Sequence, residues 1–237
     1  MKYKHFIFDM DGTICESRSV ISAQMAVQLT ILKKAGYKVV VTSGQGRESM
    51  QKQLDHFEPT YLLPQSGADS SFWKYKMNER DEVEVYRHIK KIQKAFREYD
   101  WGGGVASDHG IFVEHRGSQI AFSLTGHNCA VELKKKFDPD GRRRKIILEE
   151  IPFFSLNIDC KIAGTTCFDY THKDYSKGRN IDRLINHLGW LKGECIYFGD
   201  KLQKGGNDES VIEVIDCVQV DGPEDCISKL LQMTLDL

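Results

Sequence analysis

The feature that most constrains this chain is a short apolar run, His5-Phe6-Ile7-Phe8, that stops abruptly at Asp9-Met10-Asp11-Gly12-Thr13. An unbroken apolar run bounded by polar turn residues suits a strand buried on both faces, as strands of parallel sheets are. Two more runs repeat the pattern: Lys38-Val39-Val40-Val41, ending in Thr42-Ser43-Gly44, and Tyr61-Leu62-Leu63. A helical pattern from about Ser22 to Ala35, with Met25, Leu29 and Leu32 at helical spacing and Gly36 as its stop, separates the first two. A polar helix containing Glu48 to Leu54 separates the second from the third. Such β-α-β-α-β alternation implies a parallel sheet with right-handed crossovers.

The pattern then changes. Residues from about Asp81 to Tyr99 read as a charged helix, and Gly102-Gly103-Gly104 as a loop. Strand candidates follow at Ile111 to Glu114, Gln119 to Ser123 and Phe153 to Ile158, with a basic helical stretch through Lys134-Lys135-Lys136 and Arg142-Arg143-Arg144-Lys145 between the last two. This alternation predicts an antiparallel sheet packed on helices. From Ser176 the α/β rhythm returns. Asn180 is expected to cap a helix running through His187 to Gly189, Glu194 to Phe198 is a strand ending at Gly199-Asp200, Val218 to Val220 is another, and Glu224 to Met233 is a closing helix. The expected architecture is one α/β domain built from residues 1–79 and 174–237, interrupted by an α+β insert over residues 80–173.

Composition excludes several functions. With 33 Lys+Arg against 34 Asp+Glu among 237 residues, the net charge of -1 argues against general nucleic-acid binding. The cluster Arg142-Arg143-Arg144-Lys145 is therefore read as a solvated helix face. No stretch approaches the roughly 18 apolar residues of a membrane span. The N-terminal residues lack the pattern of a signal peptide, and the seven cysteines are dispersed without a CxxC pair. A cytoplasmic location with reduced thiols is expected, and zinc is not. His5, His56, His88 and His187 read as surface or packing residues, and Cys15 as a packing residue or an oxidation-sensitive neighbour of the acids before it.

Ligands of open parallel sheets bind beyond the carboxyl ends of the strands. Three predicted strands end there in Asp9, Ser43 and Asp200. Asp9 and Asp11 share one face of an extended backbone, so one carboxylate can attack as a nucleophile while the other moves a proton. Ser43 and the backbone N–H groups beside it, at Gly44, suit phosphate oxygens. Lys177, opening a predicted helix, can neutralise a transferring phosphoryl group. Asp9 and Asp200 make a plausible Mg²⁺ site, and Asp208, in Gly205-Gly206-Asn207-Asp208, can orient a ligand or Lys177.

Taken in order, Asp9-Met10-Asp11-Gly12-Thr13, Thr42-Ser43-Gly44, Lys177 and Gly199-Asp200…Gly206-Asn207-Asp208 resemble the four motifs of the haloacid dehalogenase-like phosphotransferases. The resemblance implies a Rossmann-like core, an inserted C2B-type cap, an aspartyl-phosphate intermediate, and Mg²⁺ held by Asp9, Asp11, Asp200, Asn207 and Asp208. Over nearly its full length the chain is most similar to the eukaryotic-type phosphomannomutases, through Phe112 to Gly117, Thr125 to Cys129, Phe168-Asp169 and Phe198 to Lys201. That likeness implies substrate contacts at Arg18, Arg116, His127, Lys134 and Asp169. His127 and Lys134 stand where those mutases carry phosphate-binding arginines, Cys167 where they carry a serine, and Ser43 where they often carry glycine. Only arginine grips phosphate bidentately, so these changes tilt the chemistry towards hydrolysis. The expectation is a Mg²⁺-dependent phosphatase for a small phosphorylated metabolite, with a hexose-phosphate mutase as the alternative, acting as a monomer or a cap-mediated homodimer.

Overall fold

The computed structural model describes residues 2–98 and 112–234. The chain runs β1 (His5–Asp9), α1 (Ala23–Lys34), β2 (Lys38–Thr42), α2 (Arg47–Leu54), β3 (Tyr61–Leu63), α3 (Glu79–Glu98), β4 (Val113–His115), β5 (Gln119–Ser123), α4 (Val131–Phe137) and α5 (Arg142–Glu150). It continues through β6 (Ile158–Ala163), β7 (Cys167–His172), α6 (Lys177–Leu188), β8 (Cys195–Gly199), β9 (Asp216–Gln219) and α7 (Pro223–Thr234). Two units result, one made of residues up to Lys74 together with those from Tyr175, the other of Tyr75 to Asp174. The insert expected over residues 80–173 therefore starts five residues later, and ends one residue earlier, than this second unit.

The first unit holds a five-stranded sheet in the order β3-β2-β1-β8-β9, with every pairing parallel. All five residues of β1 are buried, as a central strand covered on both faces requires. Alternate side chains divide the core in two. Phe6, Phe8, Val39, Val41 and Phe198 pack with Met25 and Leu29 of α1, Met50 of α2 and Ile227 of α7. Ile7, Val40, Leu63 and Tyr197 pack with Ile181, Leu184 and Ile185 of α6. Each fully buried side chain of this size stabilises the fold by about 1.5–3 kcal/mol. Helices cover both faces, so the expected α/β class with a Rossmann-like core is what forms.

The second unit is a four-stranded antiparallel sheet, β4-β5-β7-β6, with helices packed on it. Val85, Ile89 and Ile92 of α3 and Ile147 of α5 meet Ile120, Phe122, Phe168 and Tyr170 of the sheet. This is the α+β cap.

Several local expectations are corrected. The strand predicted over Phe153 to Ile158 begins only at Ile158. Ser155 accepts hydrogen bonds from the backbone N–H groups of Asn157 and Ile158, turning the chain and leaving Phe154 and Leu156 exposed. Helix α6 is capped by Ser176, whose Oγ accepts from Arg179 N, whereas Asn180 lies inside the helix and donates to the carbonyls of Ser66 and Tyr175. The basic run of α5 is not wholly solvated. Arg144 is buried, pairs with Asp138 at 2.6 Å and donates to the carbonyls of Ala163 and Gly164. The glycine loop at 102–104, and the ends of its flanking predicted elements, lie outside the described residues.

Of the histidines, His5 stacks on Trp190 at 3.8 Å, His56 is exposed, His187 packs beside Phe72 at 4.4 Å, and His88 is buried in the cap.

Candidate active site

The parallel register of β1 with β2 and β8 sets Asp9 opposite Thr42 and brings the ends of all three strands level. Chain reversal there needs close contacts. Gly12 adopts φ 84°, and a Cβ on it would come within 2.5 Å of Oδ2 of Asp200. A Cβ on Gly199 would fall 2.6 Å from Oδ2 of Asp208. Glycine at these two positions is what lets the acidic loops approach one another.

Lys177, the first residue of α6, reaches this space. Its Nζ donates to Oδ1 of Asp9 and to Oδ1 of Asp208, both at 2.6 Å, and the three side chains are at most 4% exposed. Burial alone would strip the lysine of its proton, but the attraction of Asp208 and Asp9 outweighs it and holds the group charged. The two acids differ. Asp208 also accepts from the hydroxyl of Tyr197 at 2.7 Å and from Lys201 N at 3.2 Å, and despite burial its carboxyl lies below the usual range, with Lys177 the main cause. Asp9 has fewer donors. Burial, followed by the charges of Asp208 and Asp200, raises it to about 7 against the pull of Lys177. Asp9 is therefore the carboxylate left needing positive charge.

Oxygen atoms able to hold a cation sit beside it. Asp9, Asp200 and Asp208 each offer an oxygen within 4.8 Å of the others. Oδ1 of Asp200 and Oδ1 of Asn207 are buried without a hydrogen-bond partner. A buried oxygen left unsatisfied costs about 1–3 kcal/mol, and a bound cation removes that cost. This donor set of carboxylates and an amide oxygen fits Mg²⁺, a hard ion that takes oxygen ligands. Asp208, engaged on both oxygens, is better placed to orient Lys177.

Ser43 follows β2 and is buried; its Oγ accepts from Gln45 N at 3.1 Å, and its carbonyl accepts from Ser66 N at 2.7 Å. Gly44 lies half-buried in the turn between Ser43 and α2. Asp11, expected to touch the metal, does not join the carboxylate group. Its Oδ1 accepts from Arg18 N at 2.7 Å and from Nε2 of Gln53 at 3.3 Å, and its Oδ2 accepts from Nε2 of Gln45. Arg18 itself is exposed, with φ 60°. Cys15 is buried, and burial pushes its thiol far above the reactive range.

The expected cap residues form a cluster of their own. Arg116 donates through Nε and Nη2 to Oε2 of Glu114, and its charge is held against burial by Asp169 and Glu114. Nζ of Lys134 donates to the carbonyl of His127 at 2.7 Å, and the buried His127 ring places Nε2 3.3 Å from the carbonyl of Ala121. Arg116 thus meets two carboxylates, one of which, Glu114, also lies 3.6 Å from Nδ1 of His127.

Sequence reasoning missed Gln45, Gln53 and Tyr197. A phenol two positions before Gly199, on the face of β8 opposite to Phe198, was a signal for the last. Nothing in the motif pattern marks two neutral amides.

Residues 6–217 match the family described as haloacid dehalogenase-like hydrolase. A phosphomannomutase of Babesia bovis is 25% identical over 240 residues, covering 96% of each chain. Phosphomannomutase 1 of Dictyostelium discoideum is 28% identical over 218 residues, covering 86% of this chain and 85% of that protein. Among solved structures, an IMP-bound IMP-nucleotidase of Plasmodium falciparum superposes with a TM-score of 0.66 at 13% identity, covering 99% of this chain and 68% of that one. Among the described residues, no helix is long and apolar enough to cross a membrane.

Proposed function

The chain belongs to the haloacid dehalogenase-like hydrolase family, and on that premise we propose that it is a Mg²⁺-dependent phosphatase acting on a small sugar or polyol phosphate. The observation that carries this reading is the sharing of Lys177 by Asp9 and Asp208 beside the unpartnered oxygens of Asp200 and Asn207. An acid anchored by one ammonium, next to oxygens suited to a divalent cation, is built to receive a phosphoryl group.

In the proposed reaction a carboxylate oxygen of Asp9 attacks phosphorus, the bond to the ester oxygen breaks, and Asp11 gives its proton to that oxygen, releasing an alcohol. Asp11 then takes a proton from water, whose oxygen bonds to phosphorus as the bond to Asp9 breaks, releasing phosphate and restoring both acids. Lys177 holds Asp9 in place, while Ser43 and the N–H of Gly44 bind phosphoryl oxygens. Asp9, Asp200 and Asn207 would hold Mg²⁺, which when bound neutralises charge on the phosphate.

Hydrolysis is favoured over mutation by the cap. A mutase must retain a second phosphate while its intermediate turns over, which calls for surplus positive charge. Here Arg116 is matched by Glu114 and Asp169, and Lys134 already donates to a backbone carbonyl. Such a cluster suits an uncharged, hydroxyl-rich leaving group. The mutase remains the second reading, favoured by the phosphomannomutases similar along nearly the whole chain. We place the enzyme in the cytoplasm, on its dispersed cysteines, as a monomer or a dimer formed through the cap.

A phosphate-release screen over sugar and polyol phosphates, with and without Mg²⁺, tests the reading. Mannose 1-phosphate with a bisphosphate activator separates the two alternatives: isomer formed without free phosphate sinks the phosphatase, and free phosphate without isomer sinks the mutase.

A further inference from the structure

Asp11 carries the proton transfers of the reading above, yet nothing in that reading explains what aims its carboxylate. Besides the backbone N–H of Arg18, two side chains do so. Gln45 lies in the turn before α2 and donates from Nε2 to Oδ2 of Asp11. Its own Oε1 accepts from the hydroxyl of Ser49, which leaves the NH₂ end of the amide facing the acid. Gln53, on the last turn of α2, donates from Nε2 to Oδ1 of Asp11 at 3.3 Å. That same nitrogen donates to the carbonyl of Ser19 at 3.1 Å and lies 3.7 Å from Sγ of Cys15. Gln53 is only 5% exposed, and its carbonyl accepts from Ile21 N at 2.9 Å, so backbone and side chain are both tied to the loop that follows Asp11.

We propose that Gln45 and Gln53 are positioning residues for Asp11. Gln53 anchors Oδ1 together with the backbone N–H of Arg18, which donates to the same oxygen at 2.7 Å, and Gln45 is the exchangeable partner that yields Oδ2 to the ester oxygen during turnover. The difference follows from burial: Gln53 is enclosed by the core, whereas Gln45 is half-buried and leans on the exposed Ser49. A proton donor works only within about 2.6–3.2 Å of its target. Misplacement by about 1 Å costs on the order of 10²-fold in rate. Gln45 and Gln53 touch neither phosphate nor cation in this scheme, so they act through Asp11 alone.

The inference rests on the phosphotransfer reading, and the test keeps the two apart. Gln53→Met and Gln45→Met preserve side-chain length and remove the donors. Single-turnover phosphoryl transfer is measured from glucose 6-phosphate, whose alkoxide needs a proton, and from p-nitrophenyl phosphate, whose phenolate leaves without one. Gln53→Met is expected to slow transfer from the sugar phosphate roughly 10- to 100-fold, with transfer from the aryl phosphate within about 3-fold of wild type and little change in KM. Equal slowing on both esters, or none on either, overturns the proposal. Should Gln53→Met fail to fold, Gln45→Met at its half-buried position carries the same comparison. Crystal structures of the variants give a readout that needs no turnover: the Asp11 carboxylate turned from its wild-type direction supports the proposal, and an unmoved carboxylate overturns it. Wild-type protein that cleaves neither ester refutes the phosphotransfer reading alone, leaving that structural comparison to decide the positioning role.

Discussion

Nζ of Lys177 lies 2.6 Å from Oδ1 of Asp9, with the two side chains only 1% and 4% exposed. A charge pair this deeply enclosed contributes little net stability when intact, because desolvation offsets attraction. Breaking it is different, since one charge then stays buried alone.

Lys177→Met is accordingly expected to destabilise the protein by about 3–5 kcal/mol, because Asp9 and Asp208 lose the ammonium they share. Urea unfolding followed by far-UV circular dichroism measures this. A variant as stable as wild type would show that the acids take up protons or solvent at no cost.

Gly12→Ala carries two penalties. Its φ of 84° disfavours any Cβ, by about 1–2 kcal/mol. The added methyl would also lie 2.5 Å from Oδ2 of Asp200, so that carboxylate must move. Weaker Mg²⁺ binding by isothermal titration is expected together with a lower melting temperature. Unchanged Mg²⁺ affinity would mean that Asp200 does not hold the ion.

The cap contains a histidine whose protonation should destabilise the fold. His88 is buried, with Nδ1 2.8 Å from the hydroxyl of Tyr170 and Nε2 2.7 Å from the carbonyl of Ile151. The neutral ring satisfies both partners, donating from Nε2 and accepting at Nδ1. Burial, aided by Lys91 and only partly opposed by the Ile151 carbonyl, lowers its pKa from the ordinary 6.5. Since the folded value lies below the unfolded one, the unfolded chain binds the extra proton as pH falls. The contribution is whole above the unfolded pKa and is lost as pH drops from there through the folded value. Urea midpoints at about pH 8 and about pH 5.5 should therefore differ by more in wild type than in His88→Gln. Equal differences would remove His88 from the account.

Much of this arrangement was legible before any coordinates. The runs at Phe6-Ile7-Phe8 and Val39-Val40-Val41 are apolar on both faces, and only a covered parallel sheet satisfies them. The acids were legible because they interrupt those runs where β1 and β8 end. The cap strands were harder. Ile158 to Ala163 and Cys167 to His172 mix Asp, Lys and Thr into their faces, while the more apolar Phe153 to Leu156 is broken by the side chain of Ser155. Asn180 was mistaken for a cap because it lies one turn past Ser176, and either side chain can accept from a helix N-terminus. Gln45 and Gln53 could not be found in sequence at all: a neutral amide becomes part of a site only through the acid it is folded against.

The central claim is that Asp9 takes the phosphoryl group, and the most direct measurement is the mass of the enzyme caught in the act. Asp11→Asn should accept phosphate from p-nitrophenyl phosphate, whose leaving group needs no proton, and then stall for want of a base. Acid quench and peptide mass spectrometry are expected to find one added phosphoryl group on the peptide containing Asp9, and none in the Asp9→Asn, Asp11→Asn double variant. Phosphate on another residue, or steady release of phosphate by Asp9→Asn at the wild-type rate, would contradict the assignment.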